Sequence, residues 1–84
     1  MAQSPAPITV LFFSFAADRM NARQKTFDVD APVSLGTFYE EWLKPQLHEP
    51  FSRWLFSVNQ EWADADTPVK GGDEVAVIPP VSGG

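Results

Sequence analysis

Residues 8–15 read Ile-Thr-Val-Leu-Phe-Phe-Ser-Phe, and residues 74–78 read Glu-Val-Ala-Val-Ile. Both segments are rich in β-branched or aromatic residues, which predicts strands. Successive side chains of a strand point to opposite faces, so Val10 and Leu11 make both faces of the first strand apolar. Such a strand suits the centre of a sheet. A strand with one face in the core and one against another protein would have the same pattern.

Two further strands and two connections lie between these segments. Residues 25–30 alternate polar and apolar side chains, which predicts a half-buried strand antiparallel to the first. Residues 54–59 predict another strand. Residues 16–24 are polar and predict a connecting loop with room for a helical turn. The Gly-Gly-Asp sequence at 71–73 predicts a tight turn before the last strand.

One amphipathic helix is predicted in the middle of the chain. Ser34 is a suitable N-cap. The apolar residues that follow at helical spacing are Leu35, Phe38, Trp42 and Leu43. Pro45 would disrupt an interior turn, so we expect the helix to end near Leu43 or Lys44, with a looser turn extending as far as Leu47.

Residues 60–70 are mixed, with Trp62 and Val69 as apolar anchors, and are counted as one short strand. The order of elements is then β-β-α-β-(short β)-β, and the simplest architecture for it is one helix packed on one face of a small mixed sheet. If the first and last strands pair in parallel at the centre, the α+β architecture is a β-grasp, or ubiquitin-like, fold. The sequence then divides into a flexible N-terminal arm (1–7), the β-grasp domain (8–78) and an extended C-terminal tail (79–84).

Length and charge exclude several classes of function. The 84 residues (9.3 kDa) allow one domain. Eleven acidic and six basic residues give a net charge of −5, which disfavours nucleic acid and anionic membranes as partners. The absence of cysteine excludes disulfides and thiolate catalysis. Without a 20-residue apolar run or a basic leader, the protein is expected to be cytoplasmic.

No side-chain set for catalysis by the chain alone is evident. His48 is predicted to be a solvated loop histidine, and a lone histidine without cysteine argues against a metal site. The acidic residues of the C-terminal half are interpreted as a solvated edge: Asp64, Asp66, Asp73 and Glu74. The tryptophans are expected mainly to pack in the core, with at least one a candidate for partner contact: Trp42, Trp54 and Trp62.

The C-terminus is the segment that suggests a chemical function. Met1 predicts a complete chain that ends naturally at Gly84. Residues 79–84, Pro-Pro-Val-Ser-Gly-Gly, reach about 20 Å when extended. The prolines stiffen the base, and two terminal glycines without Cβ atoms can thread a narrow channel. The free α-carboxylate could be activated as an acyl-adenylate and captured by a nucleophile. Taken alone, a terminal Gly-Gly is more often a frayed tail.

Three segments together resemble the MoaD family of molybdopterin synthase small subunits. They are Val-Asn-Gln at 58–60, Gly-Asp-Glu-Val-Ala at 72–76, and Pro-Pro-Val-Ser-Gly-Gly at 79–84. The resemblance is strongest over residues 54–84, and residues 10–13 are similar to the family's opening strand. The related ThiS carriers of the thiamine pathway share the fold and the Gly-Gly end but typically lack the double proline.

The resemblance implies a β-grasp sulfur carrier. An E1-like, MoeB-like enzyme would adenylate Gly84 with ATP and Mg²⁺, and sulfur from a persulfide donor would leave a thiocarboxylate. The arm would enter a MoaE-like large subunit, in a heterotetramer, and deliver sulfur to cyclic pyranopterin monophosphate to build the molybdopterin dithiolene. The arm would consist of Pro79, Pro80, Val81, Ser82, Gly83 and Gly84. The resemblance implies no cofactor or metal bound by this chain, and catalytic side chains supplied by the large subunit.

The partner is expected to dock on the sheet face opposite the helix, near the tail. The candidates from the first and third strands are Phe12, Phe13, Trp54 and Phe56. The sequence departs from the family pattern in its longer N-terminal arm, in residues 14–23 and at Ile78, where an aromatic residue is common.

Two alternatives to a molybdopterin synthase subunit remain open on the sequence. The chain could carry sulfur for another pathway, such as thiamine, tRNA thiolation or a secondary metabolite. It could also be a ubiquitin-like interaction module whose tail is inert or is conjugated to lysines.

Overall fold

The computed structural model describes residues 6–30 and 32–80, which form a mixed sheet with helices on one face. Seven strands were found: β1 (Ile8–Phe12), β2 (Gln24–Phe27), β3 (Val33–Ser34), β4 (Leu55–Val58), β5 (Glu61–Ala63), β6 (Pro68–Val69) and β7 (Glu74–Ile78). Five of them form one sheet in the order β2-β1-β7-β4-β5, and β3 pairs with β6 in a separate two-stranded sheet.

The first and last strands pair in parallel at the centre of the five-stranded sheet. Val10 lies opposite Val75, and every other pair of neighbouring strands is antiparallel. This arrangement confirms the predicted β-grasp fold. The reason lies in the apolar residues of β1 and β7, because a central strand is covered on both faces.

Strand β2 is shorter than the predicted segment 25–30. Its last pair with β1 is Ile8 with Phe27. Residues after Phe27 would have to pair with residues before Ile8, where Pro7 has no N–H to donate. The predicted alternation nevertheless holds, since Phe27 is partly buried against the core and Thr26 is exposed.

The main helix covers residues 35–47 in three segments: α2 (Leu35–Phe38), a π-helical segment (Tyr39–Leu43) and α3 (Lys44–Leu47). Ser34 is the N-cap, as predicted, and its Oγ accepts a hydrogen bond from the Thr37 N–H at 3.2 Å. The helix continues beyond the end expected at Leu43 or Lys44 and includes the optional turn through Leu47.

The π-helical segment explains how the helix passes Pro45. A proline inside an α-helix lacks one hydrogen bond and its ring clashes with the carbonyl four residues earlier. Here the Lys44 N–H donates instead to the Tyr39 carbonyl, five residues back. The wider turn directly before Pro45 therefore lets the helix continue to Leu47.

Residues 16–24 contain a short helix rather than a loop with one turn. Helix α1 (Phe15–Met20) follows β1 directly, buries Ala16 and Met20, and ends at Asn21 in the left-handed conformation. A 3₁₀ turn (Phe51–Arg53) precedes β4. Within residues 6–30 and 32–80, no helix is long and apolar enough to cross a membrane.

The hydrophobic core lies between the main helix and one face of the sheet, called here the inner face. Tyr39 of the helix packs edge-on against Phe56 of β4, with ring centroids 5.7 Å apart. Phe38 packs edge-on against Phe27 of β2 at 5.5 Å. The helices therefore cover the inner face and leave the opposite, outer face of the sheet uncovered by any described element.

Candidate functional site

The C-terminal arm begins at the centre of the sheet. It continues β7, which has β1 on one side and β4 on the other. Pro79 is buried and Pro80 is exposed, so the first proline is packed into the domain. The predicted site residues Val81, Ser82, Gly83 and Gly84 lie outside the described residues.

An apolar patch covers the outer face beside the root of this arm. Strand register brings Leu11, Ala76, Ser57 and Trp62 into one row across four strands. The next row contains Leu55 opposite Ile78, and Phe13 follows on the β1 side, where its N–H donates to the Val77 carbonyl at 3.2 Å. We define the outer patch by its apolar members: Leu11, Phe13, Leu55, Trp62, Ala76 and Ile78.

Three members of the outer patch are highly accessible. The exposed fractions are 46% for Phe13, 46% for Leu55 and 74% for Trp62. Ile78 belongs to the patch and directly precedes Pro79. Contiguous exposed apolar surface commonly marks a protein interaction site. The patch and the root of the arm are thus adjacent.

Three of the four aromatic residues predicted to contact the partner point the other way. Phe12, Trp54 and Phe56 are all buried in the hydrophobic core. Alternation along each strand places Phe12 with Val10 on the inner face. In the free domain these three are core residues, which corrects the prediction. Phe13 is the exposed member, and its partner contact stays a prediction.

Leu55 was not among the residues predicted to contact a partner, and the prediction that Trp62 packs mainly in the core is wrong. Leu55 neighbours Phe56, so it faces outward once Phe56 is placed in the core. Trp62 was expected mainly to pack in the core, but it pairs with Ser57 on the outer face of an edge strand. The alternation of β4 is the signal that could have placed Leu55, whereas placing Trp62 also requires the register of the β4–β5 hairpin.

A groove of about 710 Å³ borders the outer patch where β1 meets α1 and β2. Leu11, Phe13 and Phe15 supply its apolar wall, while Asp18 and Arg23 supply charge at its edge. Ser14 holds this corner with φ 56° and ψ −134°, and the Phe13 carbonyl accepts from the Ala16 N–H at 3.1 Å. This is the backbone of a type II′ turn, which normally requires glycine at that position.

The remaining candidates are placed as parts of turns and helix ends. His48 is exposed and ends α3 in the left-handed conformation. The Asp64 carboxylate accepts from the Asp66 N–H at 2.9 Å, and Asp73 is buried in the turn before β7. No group of three or more His, Asp or Glu is placed to hold a metal ion within residues 6–30 and 32–80.

Comparison with known proteins identifies a family and several relatives. The sequence profile of the ThiS family matches residues 10–84. The human protein named molybdopterin synthase sulfur carrier subunit is 30% identical over 82 residues, which cover 92% of this chain and 93% of that protein.

Several solved structures share the fold, including the following two. The SAMP1 structure from Haloferax volcanii has a TM-score of 0.77 at 24% identity and covers 94% of this chain and 100% of its own. A chain of the Helicobacter pylori complex of molybdopterin-converting factor subunits 1 and 2 has a TM-score of 0.58 at 23% identity, and covers 93% of this chain and 99% of its own.

Proposed function

The chain belongs to the ThiS family of sulfur carriers, and we propose that it is the sulfur-carrier small subunit of a molybdopterin synthase. One observation carries the proposal beyond family membership. An exposed apolar patch on the outer face lies directly beside the root of an arm that ends Pro-Pro-Val-Ser-Gly-Gly. A carrier needs both features, because its domain must dock while its C-terminus enters a partner's active site.

The chemistry of the proposal is confined to the terminal carboxylate. An E1-like, MoeB-like enzyme uses ATP and Mg²⁺ to convert the carboxylate of Gly84 to an acyl-adenylate. The terminal sulfur of a persulfide donor then attacks the acyl carbon and displaces AMP, which leaves the chain joined to the donor through an acyl disulfide. A second thiol of the donor breaks the S–S bond, so a disulfide forms on the donor and the thiocarboxylate of Gly84 is released. Gly84 is thus the reactive residue, and the chain itself binds neither ATP nor Mg²⁺.

The large subunit docks on the outer patch in this proposal. The Helicobacter neighbour, whose structure is a complex of subunits 1 and 2, supports a large-subunit partner. Aromatic side chains, tryptophan in particular, contribute much of the binding energy when they become fully buried in an interface. Phe13 and Trp62 supply such side chains next to the root of the arm, and Leu55 adds exposed apolar area. The large subunit provides the catalytic groups for transfer to cyclic pyranopterin monophosphate, in a heterotetramer in the cytoplasm.

Reconstitution tests the pathway. The chain is combined with a MoaE-like large subunit, an E1-like activating enzyme, ATP, Mg²⁺, a sulfide source and cyclic pyranopterin monophosphate, and molybdopterin formation is measured. We expect product with the full chain and none with a chain lacking Gly83 and Gly84. The chain could be loaded with sulfur and still form no molybdopterin, although the same large subunit makes molybdopterin with another carrier. That result would instead favour a carrier for another pathway.

A further inference from the structure

The Trp54 ring is held by specific contacts on two sides. Its Nε1–H donates a hydrogen bond of 2.8 Å to the Tyr39 hydroxyl, which in turn donates to the Glu49 carbonyl. Both rings are buried. Burial raises the pKa of Tyr39, so its hydroxyl stays protonated and keeps its donor at neutral pH.

A second set of contacts holds the other side of the Trp54 ring. Phe15 of α1 packs against it with ring centroids 5.3 Å apart. Arg19 lies over the Phe15 ring at 5.2 Å and donates to the Leu47 carbonyl at 2.7 Å and to Glu49 at 2.9 Å. The ring is therefore fixed between Phe15 of α1 and Tyr39 of the main helix, and Arg19 ties α1 to the C-terminal end of that helix.

The sheet register places this fixed ring beside the root of the arm. Leu55 lies opposite Ile78, so continuing the antiparallel register by one residue sets Trp54 beside Pro79. Trp54 has an extended backbone, and both residues are buried. Alternation puts Pro79 on the inner face with Val77. On the other side, β1 ends at Phe12 and the chain turns away at Ser14, which leaves Trp54 as the strand neighbour of Pro79.

We infer that Trp54 is a positioning residue that sets the direction in which the C-terminal arm leaves the sheet, and that the Tyr39 hydroxyl fixes the indole for that task. The inference rests on the proposed function, in which the arm must deliver Gly84 to a partner's active site. An extended arm of five residues spans about 16 Å, so a change of roughly 15° at its root moves its tip by about 4 Å. A reaction is already slowed strongly when a reacting group is displaced by about 1 Å, which is less than this movement of the tip.

The test compares three full-length variants in sulfur loading by an E1-like activating enzyme. Tyr39→Phe removes the hydroxyl and Trp54→Phe removes the indole N–H. Val69→Ala serves as a control, because Val69 is buried in the β3–β6 sheet and its truncation costs stability without touching Trp54. The loading rate at saturating activating enzyme and the Kd for that enzyme are measured separately, after the fold is checked by circular dichroism.

The inference predicts a split between rate and affinity. Tyr39→Phe and Trp54→Phe should lower the saturated loading rate about three- to tenfold while the Kd changes less than twofold, and Val69→Ala should change neither. If Trp54→Phe fails to fold, Tyr39→Phe decides, since it keeps both rings. Normal loading by both variants, or an equal loss in Val69→Ala, would overturn the inference and leave the proposed function intact. Failure of the unaltered chain to load would overturn both.

Discussion

Asn59 joins the β4–β5 hairpin to the turn before β7 through the carboxylate of Asp73. Its Nδ2 donates to Asp73 Oδ1 at 3.1 Å, and its Oδ1 accepts from the Glu74 N–H at 3.0 Å. Asp73 also accepts from the Lys70 backbone N–H at 2.9 Å and from Lys70 Nζ at 3.3 Å. This buried carboxylate therefore fixes the start of the central strand that carries the C-terminal arm.

The first prediction concerns acid stability. Burial alone would raise the pKa of Asp73, but the hydrogen bonds from Asn59 and Lys70 outweigh it, so the pKa lies below the ordinary value of 3.8. A carboxyl with a lowered pKa stabilises the fold above its unfolded pKa, and the contribution is lost as the pH falls through the folded pKa. We expect Asp73→Asn to cost about 1–2 kcal/mol of unfolding free energy at pH 7.

Urea unfolding at pH 7 and near pH 3 checks this assignment. The difference between the unaltered chain and Asp73→Asn should shrink at the lower pH, where the carboxyl begins to protonate. A difference that stays constant over the whole range would mean that the ionised carboxylate contributes nothing specific.

The second prediction concerns the hairpin turn. Asn59 and Gln60 have φ values of 51° and 71°, a conformation that costs most residues roughly 1–2 kcal/mol and costs glycine almost nothing. Gln60→Gly should therefore raise the unfolding free energy by about 0.5 kcal/mol after the added entropy of the unfolded chain is subtracted. Gln24→Gly, in β2, is the matched control and should lower it. Thermal unfolding measures both, and equal losses would contradict the strain argument.

The third prediction concerns docking on the outer patch. Trp62→Ala should weaken binding of the large subunit at least about tenfold, because a large exposed aromatic beside the arm is the type of residue that dominates interfaces. Trp42→Ala is the matched control, since Trp42 is 43% exposed but packs against Phe27 on the helix side of the molecule. Isothermal titration calorimetry gives both affinities. Equal effects of the two substitutions would place the interface elsewhere.

The fourth prediction concerns the length of the chain. One residue added after Gly84 should block sulfur loading, because in the proposed mechanism the activating enzyme acts on the carboxylate of a terminal glycine that enters a narrow channel. The extended chain should still bind the large subunit through the outer patch. Normal loading of the extended chain, with mass spectrometry showing that the extra residue is still attached, would refute the tail mechanism.

The sequence predicts the fold well because the side chains of a strand alternate between its two faces, so buried strands can be recognised from the order of their polar and apolar residues. The apolar character of β1 and β7 indicates their central position, and the alternation of residues 25–30 places Phe27 toward the core. The end of the main helix was harder to predict, because the π-helical segment that accommodates Pro45 depends on packing and has no simple local signature.

The sequence points to the tail as the reactive segment, which stays a prediction, but it does not reveal the apolar surface beside the root of the tail. Which face of β1 points outward depends on the side on which the helix packs, because both faces of β1 are apolar. Phe12 and Phe13 therefore look equivalent in the sequence, yet one is buried and the other exposed. The role inferred for Trp54 depends on contacts with Tyr39 and Phe15, which lie 15 and 39 residues away in sequence.

The central claim is that Gly84 carries sulfur, and intact mass spectrometry tests it most directly. The chain is incubated with an E1-like activating enzyme, ATP, Mg²⁺ and a sulfide source, beside a chain lacking Gly83 and Gly84. We predict a mass increase equal to the replacement of one oxygen by sulfur in the full chain and no change in the shortened one. No increase in the full chain, with an activating enzyme that loads another carrier in the same assay, would contradict the account.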